Sequence, residues 1–246
     1  MLKELYTSLT SRTAPGARKA GLAREVAGIS GRYSRQKEAW ENHLQHTKEC
    51  ISAHLHEAEA GEPLLVLGAG LCLDLPLDAL NGHPAGALLV DAVETARARH
   101  MVKRYDNLAF ELSDITGCLS SSKAPPQVAP IPLAGYGMAI SCNILSQLAL
   151  PFASSPPEND EEKAIITKLQ DAHIRALMAM NCPALLITDY ERVEMHGDHD
   201  HIVTTVDRSH LPGAPLEAWQ WYIAPKGEVN RHLDIRLNVG AWLLNA

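Results

Sequence analysis

The sequence predicts an α/β fold: a mostly parallel sheet, finished by a C-terminal antiparallel hairpin and preceded by an N-terminal helical cap. Three observations predict it. Five short apolar runs, LLVLGAG (64–70), ALLVDAV (87–93), LAFELSD (108–114), MAISCNIL (138–145) and ALLITDY (184–190), have the length of strands buried on both faces. Helix-like stretches at 94–105 and 161–180 separate some of them, which is the alternation of a sheet with helices on both faces. Near the C-terminus Leu233, Ile235, Leu237 and Val239 alternate with polar residues, the period of a half-buried strand.

The elements follow in chain order. Residues 17 to 29 are rich in Ala and charge and read as a helix that Gly31 breaks. From Ser34 to Ala58, Trp40, Leu44, Thr47, Ile51 and Leu55 recur at steps of three and four. They form one face of an amphipathic helix with Ser34 as its N-cap. The cap is expected to span 1–60 and the α/β domain 61–246. Pro63 opens the first strand, and Pro76 starts the next helix. The segment 120–135, rich in Pro, Ser and Ala, reads as a loop where a crossover helix would normally lie. Asn159 or Asp160 is placed to cap the helix over 161–180. The hairpin joins 217–229 to 232–244 around Pro225, Lys226, Gly227 and Asn230, and Trp219 and Trp221 share one of its faces.

Composition bounds the function. With 46% hydrophobic residues and 21% charged, the chain is globular rather than disordered. No run of 18 apolar residues is present, so no membrane span is expected, and the first residues lack the pattern of a secretory signal. A net charge of −7 counts against a broad nucleic-acid-binding surface. The five cysteines are widely and irregularly spaced, which suits buried thiols in a cytoplasmic protein.

The segment that carries chemistry is Val66-Leu67-Gly68-Ala69-Gly70-Leu71-Cys72-Leu73-Asp74. Glycines at the end of a buried strand let a ligand lie against bare backbone. Asp91 ends the second strand, 21 residues after Gly70, where a carboxylate can accept from both hydroxyls of a ribose. Asp114 ends the third strand, near an adenine edge. These positions lie at the carboxyl ends of adjacent parallel strands, where open sheets bind ligands. Each residue also has a plainer reading. Glycines are common in turns, Asp91 with Glu94 can cap a helix, and Asp114 can belong to a turn with Thr116.

Together the VLGAG loop, Asp91, SDIT at the third strand, SCNILSQL at the fourth, LLITDYE at the fifth and the terminal hairpin resemble the class I S-adenosylmethionine-dependent methyltransferases, from about Glu62 onward. The resemblance implies a Rossmann-like fold and S-adenosyl-L-methionine as cofactor. It implies that Gly68, Ala69, Gly70 and Cys72 meet the methionine end, Asp91 the ribose and Asp114 the adenine. It places Asn143 beside the methyl group and the acceptor. The chain departs from the pattern at Val66, at Cys72 and at Gly135-Tyr136-Gly137. A small-molecule acceptor is expected by elimination.

The cluster Met195-His196-Gly197-Asp198-His199-Asp200-His201 follows the fifth strand. It reads as a solvated loop, as a metal site, or as a pocket rim from which His199 reaches the acceptor; no metal is expected. Two rival functions stand beside methyl transfer: a nicotinamide-dependent oxidoreductase, which shares the glycine loop and the ribose acid, and a non-catalytic scaffold, which the altered loop positions favour.

Overall fold

The computed structural model describes residues 2–120, 134–196 and 199–246. Most of the segment read as the 120–135 loop therefore lies outside the described residues, as do Gly197 and Asp198.

The main sheet runs β3-β2-β1-β4-β5-β8-β7. Its strands are β1 (Leu64–Leu67), β2 (Ala87–Asp91), β3 (Leu108–Leu112), β4 (Met138–Cys142), β5 (Ala184–His196), β7 (Glu217–Ala224) and β8 (Leu233–Leu244). The first five are parallel; β8 runs antiparallel between β5 and β7. A further strand, β6 (His199–Thr204), pairs antiparallel with the second half of β5.

Each central strand is buried on both faces, as its unbroken apolar run requires. Leu64 and Val66 pack with Trp40, Ile51, Leu80 and Val102 on one face, while Leu65 and Leu67 pack with Leu169, Ile174 and Leu177 on the other. The helices divide accordingly. The first face carries α3 (Lys37–His54), α4 (Leu77–Gly82) and α5 (Ala96–Val102), and the second carries α6 (Asp160–Met178). Asn159 caps α6, its side chain accepting from the Glu162 N–H at 3.0 Å. The acids Asp160, Glu161 and Glu162 in the first turn suit the positive end of the helix dipole.

The helical cap departs from the expected pattern in two ways. Gly31 does not break its helix: α2 runs from Leu22 to Arg35, and the bare face of Gly31 admits the side chain of Glu4 from α1 (Leu2–Thr10). Ser34 is not an N-cap. It lies in the last turn of α2, bonded to the Ser30 carbonyl at 3.0 Å, and the chain bends at Gln36, whose φ is −116°. The face predicted for α3 is otherwise the one that is buried, with Trp40, Thr47 and Ile51 inside and His43 and Cys50 beside them.

Asp91 does not cap α5. Thr95 does, accepting from the Ala98 N–H at 3.0 Å, which leaves the Asp91 carboxylate for other partners. Residues Arg12 and Thr13 pair with Glu94 and Val93, which ties the start of the chain over the carboxyl ends of the strands. Among the described residues, no helix is long and apolar enough to cross a membrane.

Candidate functional site

One cavity of about 430 Å³ opens above the carboxyl ends of β1, β2, β4 and β5, within the size range of small-ligand sites. It is roofed by α2 and α3 and closed at one side by β7 and β8. Its lining includes Gly68, Ala69, Gly70, Asp91, Asp114 and Asn143, so the structure brings together six residues picked out in the sequence.

The turn after β1 is built by local necessity. Gly68 has φ +85°, and a Cβ there would lie 2.6 Å from the Cys142 carbonyl oxygen, so β4 packs directly on it. Gly70 has φ +47°, and a Cβ there would meet nothing closer than 3.9 Å. Its bare face is turned to open space. Cys72 also has a positive φ, +53°, and its N–H closes the turn onto the Ala69 carbonyl at 2.8 Å. Its thiol is buried outside the cavity lining, and that burial pushes it up to about 12.

Asp91 sits opposite this turn. Its Oδ2 accepts from the Gly70 N–H at 2.8 Å and its Oδ1 from the Val93 N–H at 2.9 Å. Burial raises its carboxyl to about 6, against the lowering effect of those two N–H groups. Each oxygen keeps a further lone pair for a ligand donor. Asp114 is turned onto its own loop. It accepts from the Thr116 N–H and hydroxyl and from the Leu119 N–H, which shapes the 114–119 turn at the cavity wall.

Asn143 follows β4 in a left-handed conformation, φ +50°, held by its N–H on the Ile187 carbonyl at 2.8 Å and its carbonyl on Gln147 Nε2 at 2.7 Å. This backbone swings the amide into the cavity, where Nδ2 donates to Asp74 Oδ2 at 2.8 Å. Burial pushes the Asp74 carboxyl up. Farther along, Asp189 accepts from the Ser146 hydroxyl at 2.5 Å, and burial pushes it up as well.

His199 is placed elsewhere. β5 itself runs on through His196 and pairs antiparallel with β6, His199 opposite His196. His199, Asp200 and His201 are exposed, and His199 does not line the cavity. Among the described residues, no three His, Cys, Asp or Glu side chains converge as a metal site.

Two residues that line the cavity were not among the candidate site residues read from the sequence. His43 faces the cavity from α3, stacked on Trp221 with ring centroids 4.0 Å apart and planes 3° apart. Its signal was present: His43 lies three residues after Trp40 and four before Thr47, on the buried stripe. Trp221, read from the sequence as sharing a strand face with Trp219, also lines the cavity.

The cavity is acidic. Glu25, Asp74, Asp91, Asp114 and Asp189 line it, against Arg32 and Arg192. Arg32 lies 3.7 Å from Glu228 and Arg192 2.7 Å from Glu194, and the Nε of each is buried without a hydrogen-bond partner.

No family model matches the chain, and no curated protein matches it in sequence. Several solved structures are similar to it in fold. The 1,6-didemethyltoxoflavin-N1-methyltransferase of Burkholderia thailandensis, with that compound and S-adenosylhomocysteine bound, is similar at 14% identity and a TM-score of 0.45. The match covers 94% of this chain and 91% of that one. A SAM-dependent methyltransferase from Geobacter sulfurreducens in complex with S-adenosylhomocysteine is similar at 12% identity and a TM-score of 0.41, over 81% and 90%. The glycopeptide N-methyltransferase MtfA in complex with S-adenosylmethionine is similar at 16% identity and a TM-score of 0.36, over 78% and 76%. The strand order, with an antiparallel strand inserted between β5 and β7, is a Rossmann-like, mostly parallel sheet closed by a C-terminal antiparallel hairpin, the fold expected from the sequence.

Proposed function

We propose that the protein binds S-adenosylmethionine in this cavity and transfers its methyl group to a small-molecule acceptor. One observation carries the reading: a buried carboxylate, Asp91, bonded to the Gly70 N–H at the tip of β2, with a second carboxylate, Asp74, just past the same glycine turn. The donor has a diol at its ribose and net positive charge at its sulfonium end, and both suit carboxylates.

The same pair weighs against a nicotinamide dinucleotide. A pyrophosphate needs a helix N-terminus and uncharged backbone at the glycine turn. Here the next helix begins only at Leu77, and Asp74 lies between.

The residues divide the work as follows. Gly70 offers open backbone, Asp91 takes the ribose hydroxyls, the Asp114 turn borders the adenine, and Asp74 supplies negative charge near the sulfonium. When bound, the donor supplies an electrophilic methyl carbon with a good leaving group. The chain's own task is to align the nucleophile and keep water out, which α2 and α3 do by roofing the cavity. Asn143 stands at the acceptor side. His199, exposed on β6, has no part in this proposal.

The test is isothermal titration with S-adenosylhomocysteine on the wild type and on Asp91→Ala. Binding by the wild type that the variant loses supports the reading. No binding to a folded wild type overturns it.

A further inference from the structure

Where the acceptor side of the cavity meets α3 and β7, several polar atoms lack the partners that burial demands. His43 is the key to them. It is 1% exposed, and burial lowers its pKa to about 3, so the ring is neutral. The Trp219 indole N–H, which can only donate, lies 3.0 Å from Nδ1. Nδ1 is therefore the accepting nitrogen, and Nε2 carries the proton.

That proton faces another donor. His43 Nε2 is 3.4 Å from Asn143 Nδ2. When ionised, the Asp74 carboxylate fixes the Asn143 amide this way round, because the flipped amide would set oxygen against oxygen. Two N–H groups thus converge with neither able to accept from the other. Beside them, Asn143 Oδ1 and the Trp221 indole N–H are buried with no hydrogen-bond partner. Both residues are more than nine-tenths buried. Unsatisfied groups in such a place are costly unless a ligand satisfies them.

The surroundings limit the ligand further. Val26, Ile29, Trp40, Ile223 and Leu237 are apolar, and the nearest charge is negative. Five carboxylic side chains line the cavity against two arginines, Arg32 and Arg192. Each arginine lies beside a glutamate and has a buried Nε that lacks a hydrogen-bond partner, so the acidic balance of the lining disfavours an anion.

Resting on the methyltransferase reading, we propose that the acceptor is an uncharged cyclic amide, recognised by its lactam edge. Its carbonyl oxygen accepts from His43 Nε2–H and Asn143 Nδ2–H, and its ring N–H donates to Asn143 Oδ1. The Trp221 N–H serves the same polar edge, and the apolar wall takes the rest of the ring system.

The experiment uses the full chain with saturating S-adenosylhomocysteine and three bicyclic probes: 2-quinolone, which has the lactam edge, quinoline, which lacks it, and quinoline-2-carboxylate, which is anionic. Titration is expected to show 2-quinolone binding about tenfold or more tighter than either other probe, the effect of one or two buried hydrogen bonds. Trp221→Phe, which keeps an aromatic side chain but lacks the N–H, is expected to remove most of that preference while S-adenosylhomocysteine affinity stays within about twofold. His43→Gln, which retains a donor amide, is expected to retain part of it. Equal binding of the three probes, tighter binding of the carboxylate, or no probe binding to a protein that holds S-adenosylhomocysteine would overturn the lactam proposal and leave the cofactor reading intact. Loss of S-adenosylhomocysteine binding with selective 2-quinolone binding would do the reverse; failure of both ligands overturns both.

Discussion

The backbone N–H of Gly70 lies 2.8 Å from Oδ2 of Asp91, joining the turn after β1 to the tip of β2. The bond fixes the carboxylate at the cavity wall, ready to accept from a diol. Asp91→Ala removes both the bond and the recognition of the hydroxyls. Loss of two hydrogen bonds to a charged group predicts at least about a 100-fold fall in S-adenosylhomocysteine affinity, measured by titration on protein whose circular dichroism is unchanged. A fall of less than about threefold would remove Asp91 from the site.

The affinity is also expected to depend on pH through this residue. Its carboxyl is raised to about 6, above the ordinary 3.8, so the ionised form that best accepts from hydroxyls dominates only above pH 6. Between pH 7.5 and pH 5, affinity for S-adenosylhomocysteine should fall about tenfold. The contribution to stability has the opposite sign: the folded state favours the proton, so Asp91 costs stability above pH 6 and the cost disappears as pH falls toward 3.8. Titrations at pH 5, 6 and 7.5 with the wild type check the binding limb.

The two loop glycines are expected to fail differently. Gly68→Ala drives a methyl group against the Cys142 carbonyl and the Ile144 side chain in a positive-φ conformation. A loss of about 3 kcal/mol or more in urea unfolding is expected. Gly70→Ala meets open space and bears only the backbone strain, about 1–2 kcal/mol, but its methyl group projects where a ligand would lie. Equal stability losses in the two variants would contradict this division.

Trp40 anchors the helical cap. It is 1% exposed, stands edge-on to Trp221 at 4.8 Å between centroids, and donates its N–H to the Ile223 carbonyl at 3.1 Å. Trp40→Ala should cost about 3–5 kcal/mol in urea unfolding. A cost below about 1 kcal/mol would mean that α3 is not bound to the sheet through this residue.

A smaller effect is expected at Glu228, in the turn between β7 and β8. It accepts from Arg35 at 2.6 Å and from Gln36 at 3.0 Å, joining that turn to the corner between α2 and α3. Arg35 holds its carboxyl below the usual range. The stabilisation is therefore present above about pH 4.5 and is lost as pH falls through the folded value. Arg35 is half exposed, so Glu228→Gln should cost at most about 1 kcal/mol at pH 7 and less at pH 3. Equal costs at the two pH values would argue against the ion pair.

Much of this was legible in the sequence, for identifiable reasons. The five parallel strands announced themselves because burial on both faces demands unbroken apolar runs. The hairpin announced itself by its alternation. Asp91 and Gly70 could be paired because a strand, a helix and a second strand fix the spacing between successive strand tips. The bend at Gln36 was not legible, since no Pro or Gly marks it and Gly31 nearby invited the wrong break. Nor was the hairpin at His199, where polar residues on both faces hide the period of two. His43 and Trp221 were seen but not joined, because their contact links positions 178 residues apart in the chain.

The position of β8 has a consequence for how the chain is made. This strand lies between β5 and β7, and among the described residues β7 reaches the sheet only through it. A ribosome synthesises β7 first, so Trp219 and Trp221 emerge before there is an edge for them to join. Until residues 233–244 arrive, β7 has only its direct contacts with α3, those of Trp219 and Trp221 with His43 and Trp40, and no strand partner in the sheet. A chain halted before that point would still contain both partners of the Gly70–Asp91 bond, yet would leave β7 and the outer edge of β5 unpaired.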